Sequence, residues 1–333
     1  MSGPVRWGLG VGMGVLSLLS PPVWANVQCW VNGAVNLNFG DVQYRAPTEV
    51  WSALPYACQV PWDATGDRYH IRLCHFIEQD AALPGVAPRW LRHWDGTQMQ
   101  YDLYHDAART QLTGPAGSTW PAENVSLEGT SNAQVSGTLM LYGRVPAGQG
   151  ALSNGVYESH FAGGRLRWRW SKGSAPLPTA ADCRQASGGA GGGEVSYFLN
   201  VQGSSREACY IQAVTPLDFG VVTGRRMMAV EQAARIEVHC PLSVSWRLGL
   251  DNGIHAQGGQ RRMMNARGEG VAYALYRDAA RTQPWGAGEG ESVTGMGRGV
   301  GAVSSVPVYG RVSVQGVMSS GEYADTVTVM LTY

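Results

Sequence analysis

Charge is scarce in this chain and evenly split: 15% of residues are charged, 25 basic against 25 acidic. No basic stripe is present to follow a nucleic-acid backbone, and no acidic run to serve as a solvating tail. Beyond residue 25 no apolar run approaches the ~18 residues a membrane-spanning helix needs. A sustained apolar i, i+3, i+4, i+7 pattern is missing as well, which leaves no long amphipathic helix. The chain contains neither a GxSxG nucleophile elbow nor a CxxC pair, and its few histidines lack a Ser or Cys partner at nucleophile spacing. His70 and His75 bracket HIRLCH and would face opposite sides of a strand, so they do not form a zinc site. No catalytic residue, metal or cofactor is expected, and the chain does not read as an enzyme.

What is present begins with residues 1–25, a signal peptide. Arg6 supplies a positive start, Leu9 to Leu19 an apolar core, and Val23-Trp24-Ala25 a small-x-small cleavage site. GLGVGMG at 8–14 resembles a nucleotide-binding glycine loop, but it lies inside that core with no strand before it. Export makes the six cysteines, Cys29, Cys58, Cys74, Cys183, Cys209 and Cys240, disulfide candidates.

The most informative feature is a duplication. Residues 103–111 read LYHDAARTQ and residues 275–283 read LYRDAARTQ, identical at eight of nine positions. Cys29 with Asn38-Phe39-Gly40 matches Cys209 with Asp218-Phe219-Gly220; IRLC at 71–74 parallels WRLG at 246–249; LYGRV at 141–145 parallels VYGRV at 308–312. Segment order is constant while the offset drifts, so a whole domain has been copied and its loops have changed length. Cys29 and Cys58 occupy the same places in the first copy as Cys209 and Cys240 in the second. Pairs Cys29–Cys58 and Cys209–Cys240 are therefore expected, with Cys74–Cys183 by elimination. Each copy reads as all-β. GEYADTVTVMLTY at 321–333 puts Val327, Val329, Leu331 and Tyr333 on one face, and 45 glycines, many in turn-like clusters, separate short strands. A β-sandwich in each half follows. ASGGAGGGE at 186–194 reads as a flexible linker, followed by an alternating strand in which Val195, Tyr197, Leu199 and Val201 share a face. The domain division is thus 26–185, a linker and strand at 186–204, and 205–333.

A cysteine followed by an FG pair, a second cysteine closing a strand, RRMM at 261–264, YALYRDAARTQPWG at 273–286, VYGRV and the terminal GEYADTVTVMLTY together resemble the spore coat protein U domain. The match is close over about 205–333 and looser over 26–185, which departs at its third cysteine and at YESHFAGGRLRWRW. Such domains are subunits of archaic chaperone–usher (Csu-type) pili, and a leader with two of them, the first divergent, is similar to a pilus tip adhesin. The resemblance implies tandem immunoglobulin-like β-sandwich (pilin-type) domains, the C-terminal one incomplete and completed by a donor strand from the adjacent pilin subunit. It also implies a periplasmic chaperone, an outer-membrane usher, attachment and biofilm formation, and a location at the cell surface. The alternative is a self-associating coat or extracellular matrix protein without an adhesive tip. In single-domain members the donor strand lies just before the first cysteine. Here the matching residues 195–202 either complete the N-terminal domain within the chain or form an ordinary first strand of the second domain.

Two sets of candidate site residues follow. Asp106 and Arg109, with Asp278 and Arg281, could pass for an acid and a clamp, but DAART after a strand is better read as turn chemistry. Tryptophan is the sharper signal. Trp30, Trp51, Trp62, Trp90, Trp94, Trp120, Trp168 and Trp170 all lie in the first half, and only Trp246 and Trp285 in the second. Those in loop-like sequence (Trp51, Trp90, Trp94, Trp120) are either contact residues or local packing. The adhesin resemblance directs attention to loops at 112–121 and 146–154, expected at the end away from the linker. Leu112, Pro115, Trp120, Pro121, Val145 and Leu152 are the candidate surface-binding residues.

Overall fold

The computed structural model describes residues 26–62, 64–116, 123–223 and 229–333; the signal peptide expected at 1–25 lies outside them. The first unit contains β1 (Gln28–Val31), β2 (Val35–Asp41), β3 (Thr48–Gln59), β4 (Tyr69–Ile77), β5 (Arg89–Arg92), β6 (Gln98–Tyr104), β7 (Glu123–Gly129), β8 (Gln134–Val145), β9 (Gly155–Lys172), the one-turn helix α1 (Ala180–Gln185) and β10 (Gly191–Ser205). The second contains β11 (Tyr210–Val214), β12 (Val230–His239), β13 (Ser245–Leu250), β14 (Arg262–Met264), β15 (Gly270–Tyr276), β16 (Val293–Met296), β17 (Ser304–Val312) and β18 (Val329–Thr332). Among the described residues no helix is long and apolar enough to cross a membrane.

Each unit is a two-layer sandwich. In the first, β1–β3–β8–β6 faces β7–β4–β9–β10–β2, and β5 links the layers through β6 and β9. In the second, β11–β12–β17–β15–β14 faces a shorter layer, β16–β13–β18. The copied segments occupy matching places: β12 corresponds to β3, β13 to β4, β15 to β6, β17 to β8 and β18 to β9. Alternation places every second residue inward, and the first core gathers Leu37, Leu54, Ile71, Leu73, Leu103, Leu141, Leu166 and their neighbours.

The glycine of each YGRV segment has a specific cause. Phe39 packs edge-on against Tyr101 at 6.2 Å between ring centroids, and Phe219 against Tyr273 at 6.2 Å. A Cβ on Gly143 would lie 2.8 Å from the Phe39 ring, and one on Gly310 2.8 Å from the Phe219 ring. The FG pair and the YGRV glycine are therefore one packing unit, which explains why both recur together.

All three expected disulfides are formed. Cys29–Cys58 joins directly opposed residues of β1 and β3, and Cys209–Cys240 does the same between the β11 and β12 ends of the second unit. Cys74–Cys183 clips α1 to β4 across 109 residues of chain. Helix α1 forms because Thr179 and Asp182 make a capping box, and Ala186 closes it in the left-handed region at φ 58°.

The glycine-rich stretch differs from the flexible linker expected at 186–194. Residues 191–194 already belong to β10 and pair with Trp170 through Arg167 of β9. The reason is steric: a Cβ on Gly191 would lie 2.9 Å from the Trp170 indole nitrogen, and one on Gly193 would strike the Trp168 ring. These glycines make room for core tryptophans.

β10 runs antiparallel along β9 for its whole length and parallel to β2 on its other edge. Tyr197, Leu199 and Val201 are buried in the first core, a contribution of ~2 kcal/mol each by area. We expect Leu199→Ala to destabilise the first unit by ~2–5 kcal/mol, read as a lower denaturant midpoint. An unchanged midpoint would mean that β10 is not part of that core.

Candidate functional site

Three regions answer to the sequence candidates: the duplicated turn, the open edge of the second unit, and the ends of the first sandwich.

The duplicated turn is built identically twice. Asp106 accepts from the backbone N–H groups of Thr110 (3.0 Å) and Gln111 (2.7 Å), and Asp278 from those of Thr282 (3.0 Å) and Gln283 (2.8 Å). Arg109 and Arg281 take the left-handed conformation at φ 54° and 57°. That conformation turns each guanidinium back over its own sheet. Arg109 Nε donates to the Gly143 carbonyl (3.3 Å) and pairs with Glu49 (3.1 Å); Arg281 Nε donates to the Gly310 carbonyl (3.2 Å) and pairs with Glu231 (2.9 Å). Arg109 lies 5.6 Å over Tyr142 and Arg144 5.9 Å over Tyr104, and Arg281 and Arg311 lie likewise over Tyr309 and Tyr276. The Asp106, Arg109, Asp278 and Arg281 side chains are all engaged in closing a turn or bracing a sheet face.

The second region is the edge of β18. β9 is flanked by β4 and β10, but β18 pairs only with β13 among the described residues. Residues 215–220, which match β2 in sequence, form no strand. Leu217, Phe219, Val327, Val329 and Leu331 consequently remain half-covered, although they pack on the second core. The edge is held in position by charged groups beneath it. Asp251 accepts from the Thr328 N–H (2.8 Å), and Asp325 accepts from the Tyr273 hydroxyl (2.7 Å) beside His255 (3.1 Å). Burial and the Asp325 carboxylate raise the Tyr273 phenol above its ordinary value.

The 146–154 loop is not at the end away from the linker, where it was expected. The 146–154 loop lies against the second unit. The Gly301 N–H donates to the Gly150 carbonyl (3.3 Å), the Leu242 N–H donates to the Leu152 carbonyl (3.3 Å), and Ser153 bridges to Leu242. A Cβ on Gly150 would lie 2.5 Å from Gly301, so the two backbones meet without side chains between them. Glu207 adds to the joint by accepting from the Tyr44 N–H (2.9 Å), while its carbonyl accepts from Asn154 (2.9 Å). Val145 is a core residue and Leu152 is buried at this junction, so neither is available as a surface contact. Leu112 bridges to Tyr104 and is half-buried, as is Pro115; Trp120 and Pro121 lie outside the described residues.

The tryptophans divide sharply. Trp168 and Trp170 are core, and Trp168 donates its indole N–H to the Val27 carbonyl (2.9 Å). Trp51 is in β3, not a loop, with its side chain on the outer face and 62% exposed. Trp90 is half-buried in β5. Trp94 (90% exposed) projects from the turn between β5 and β6, and Trp62 (71%) from the segment that follows β3. Trp62 follows the end of β3 remote from the domain junction. Residue spacing did not flag it, because only the fold distinguishes an exposed indole from a core one.

The Spore Coat Protein U domain model matches residues 19–162 and 196–330. No curated protein sequence matches the chain. Similar solved structures include the CsuC–CsuE chaperone–tip adhesion subunit pre-assembly complex of Acinetobacter baumannii Csu pili, at 16% identity over 92% of this chain and 100% of that one, with a TM-score of 0.49. The CupB6 tip adhesin of Pseudomonas aeruginosa follows at 10% identity, covering 91% and 94%, with a TM-score of 0.37. CfaE, the adhesive subunit of the CFA/I fimbria of enterotoxigenic Escherichia coli, shares 10% identity over 90% and 92%, with a TM-score of 0.29. None of these three reaches a TM-score of 0.5, so they bear on no functional point.

The turn carboxylates carry a pH signature. Desolvation alone would raise Asp106 and Asp278, but the backbone N–H groups and threonine hydroxyl that each accepts outweigh it and hold both below the ordinary value. A depressed folded pKa means stability that is present above the unfolded value of about 4 and lost as pH falls through the folded pKa. Asp106→Asn/Asp278→Asn should lower Tm at neutral pH and flatten the fall in Tm on acidification below about pH 4. A variant with the wild-type acid slope would show that these carboxylates do not govern it.

Proposed function

The chain belongs to the Spore Coat Protein U domain family, and from that premise we propose that it is an exported pilus subunit, the tip adhesin of a chaperone–usher pilus. The observation that carries this reading is the asymmetry between its two units. β10 lies largely in the second family match, which starts at residue 196, yet it pairs with β9 and β2 of the first unit. The first unit is therefore completed by a strand that heads the second, a donor strand supplied within the chain. Among the described residues the second unit has no counterpart to β10, and its β18 edge stands open.

An open, half-apolar edge of this kind favours pairing with any extended peptide that alternates. The strand preceding the first cysteine of an adjacent pilin subunit would fill it in the fibre, and a periplasmic chaperone would cover it before assembly at the outer-membrane usher. A chain whose first unit needs no donor can accept a neighbour on one side only, which suits the end of a fibre.

Attachment in this reading belongs to the end of the first unit opposite the junction. Trp62 sits there, roughly 35–40 Å along β3 from the contact with the second unit. An indole exposed at a fibre's leading end is suited to hydrophobic attachment and biofilm formation. Immunogold labelling of intact Gram-negative cells tests the assignment. Label confined to fibre ends is expected; label along shafts, or over the whole envelope as for a matrix protein, would refute it. Trp62→Ser should reduce surface attachment several-fold while secretion and fibre number stay unchanged.

A further inference from the structure

The first unit carries a groove of about 660 Å³ lined by residues of β5, β9 and the turn that follows β5. Its floor is the outer face of β9 with Glu158 and His160; its walls are Asp80 and Arg92, and Trp94 stands at its rim. We propose that this groove is a carbohydrate-binding site for neutral pyranose sugars, with Trp94 as the stacking platform.

Trp94 is held out rigidly. The His93 N–H donates to the Thr97 carbonyl (2.9 Å), the Gly96 N–H to the His93 carbonyl (3.0 Å), and the Thr97 N–H to Asp95 (2.8 Å). His93 itself is buried, stacked on Tyr157 at 5.0 Å with its Nδ1 2.8 Å from Asp95. An indole on a free loop could fold down onto apolar surface. On this turn it stays 90% exposed, its only ring contact being with the adjacent His93 at 5.4 Å between centroids among the described residues, so most of the indole face is open to a ligand.

The second unit provides an internal control. Residues 265–269 form the same turn: the Asn265 N–H donates to Glu269 (3.0 Å), and the Gly268 N–H to Asn265 (3.1 Å). Asn265 stands where the first unit has His93, and Ala266 where it has Trp94. The turn therefore needs neither aromatic residue to form, and Trp94 is an addition to it.

The polar groups define the ligand. Asp80 accepts from Ser159 (2.6 Å) and from the Ala82 N–H (2.8 Å), which fixes its carboxylate and leaves each oxygen a further lone pair. Glu158 lies 3.3 Å from His160, which in turn bonds Asn200 (3.2 Å), and in register Glu158 faces Arg92. Carboxylates, a guanidinium and an imidazole around one exposed aromatic face match a molecule with one C–H face and a rim of hydroxyls. The slightly positive C–H groups pack on the electron-rich indole, and adjacent hydroxyls donate to carboxylate oxygens and accept from Arg92. The groove volume falls within the ordinary range for small-ligand sites and suits a short oligosaccharide. This site is independent of the pilus reading, since it depends only on the first unit.

The test is a glycan array of neutral and sialylated oligosaccharides probed with the full chain, followed by calorimetric titration of the best ligand. We expect a neutral oligosaccharide to bind, Trp94→Ala to weaken it at least tenfold, and Glu158→Gln to weaken it several-fold, with Trp62→Ser unchanged. Trp94 is exposed enough that its alanine variant should keep the wild-type Tm. Absence of any neutral glycan binding, or binding undiminished by Trp94→Ala at unchanged Tm, would overturn the proposal. Trp94→Ala should leave immunogold position unaltered, so failure here and failure of the tip assignment are separable.

Discussion

Pairing along the free edge of β9 is the interaction on which the molecule depends. A strand at the margin of a sandwich leaves a row of N–H and C=O groups unmatched and opens the core beside them. In the first unit β10 answers both needs, bonding β9 and β2 while placing Tyr197, Leu199 and Val201 inside. In the second unit the same edge of β18 has no such cover among the described residues, and Val329 and Leu331 are half-exposed in consequence. One backbone edge, treated in two ways, separates a covered sandwich from one whose edge strand has a single neighbour among the described residues.

That constraint also accounts for the joint between the units. β10 ends at Ser205, and Cys209 opens the disulfide of the second unit only four residues later. So short a connection forces the two sandwiches together, and the contact is backbone on backbone at Gly150 and Gly301, with Leu152 buried beside it. Such a joint holds the two units against each other without a flexible tether.

The duplication separates scaffold from function within one chain. Where the copies agree, the residues explain each other: FG with YGRV glycine, Asp with its turn, Arg with Glu and Tyr. Where they disagree, side chains have been added to a turn or strand that does not need them. Trp94 against Ala266 is the clearest case, and Trp51, on β3 where β12 carries Ala233, is another.

Much of this was legible in the residues themselves. Alternating strands, the duplicated segments, the cysteine pairs and the family follow from local pattern, because period-2 burial and turn chemistry act over a few residues. The sequence could also single out 195–202 as a strand of uncertain ownership, but not decide it. Nor could it show that 186–194 is partly strand, that Val145 and Leu152 are interior, or which tryptophans face water. Those points depend on what lies across the sheet or across the junction, tens to hundreds of residues away in the chain. Local chemistry determined what each segment is, and long-range packing alone decided which edge it covers and which side chains remain exposed.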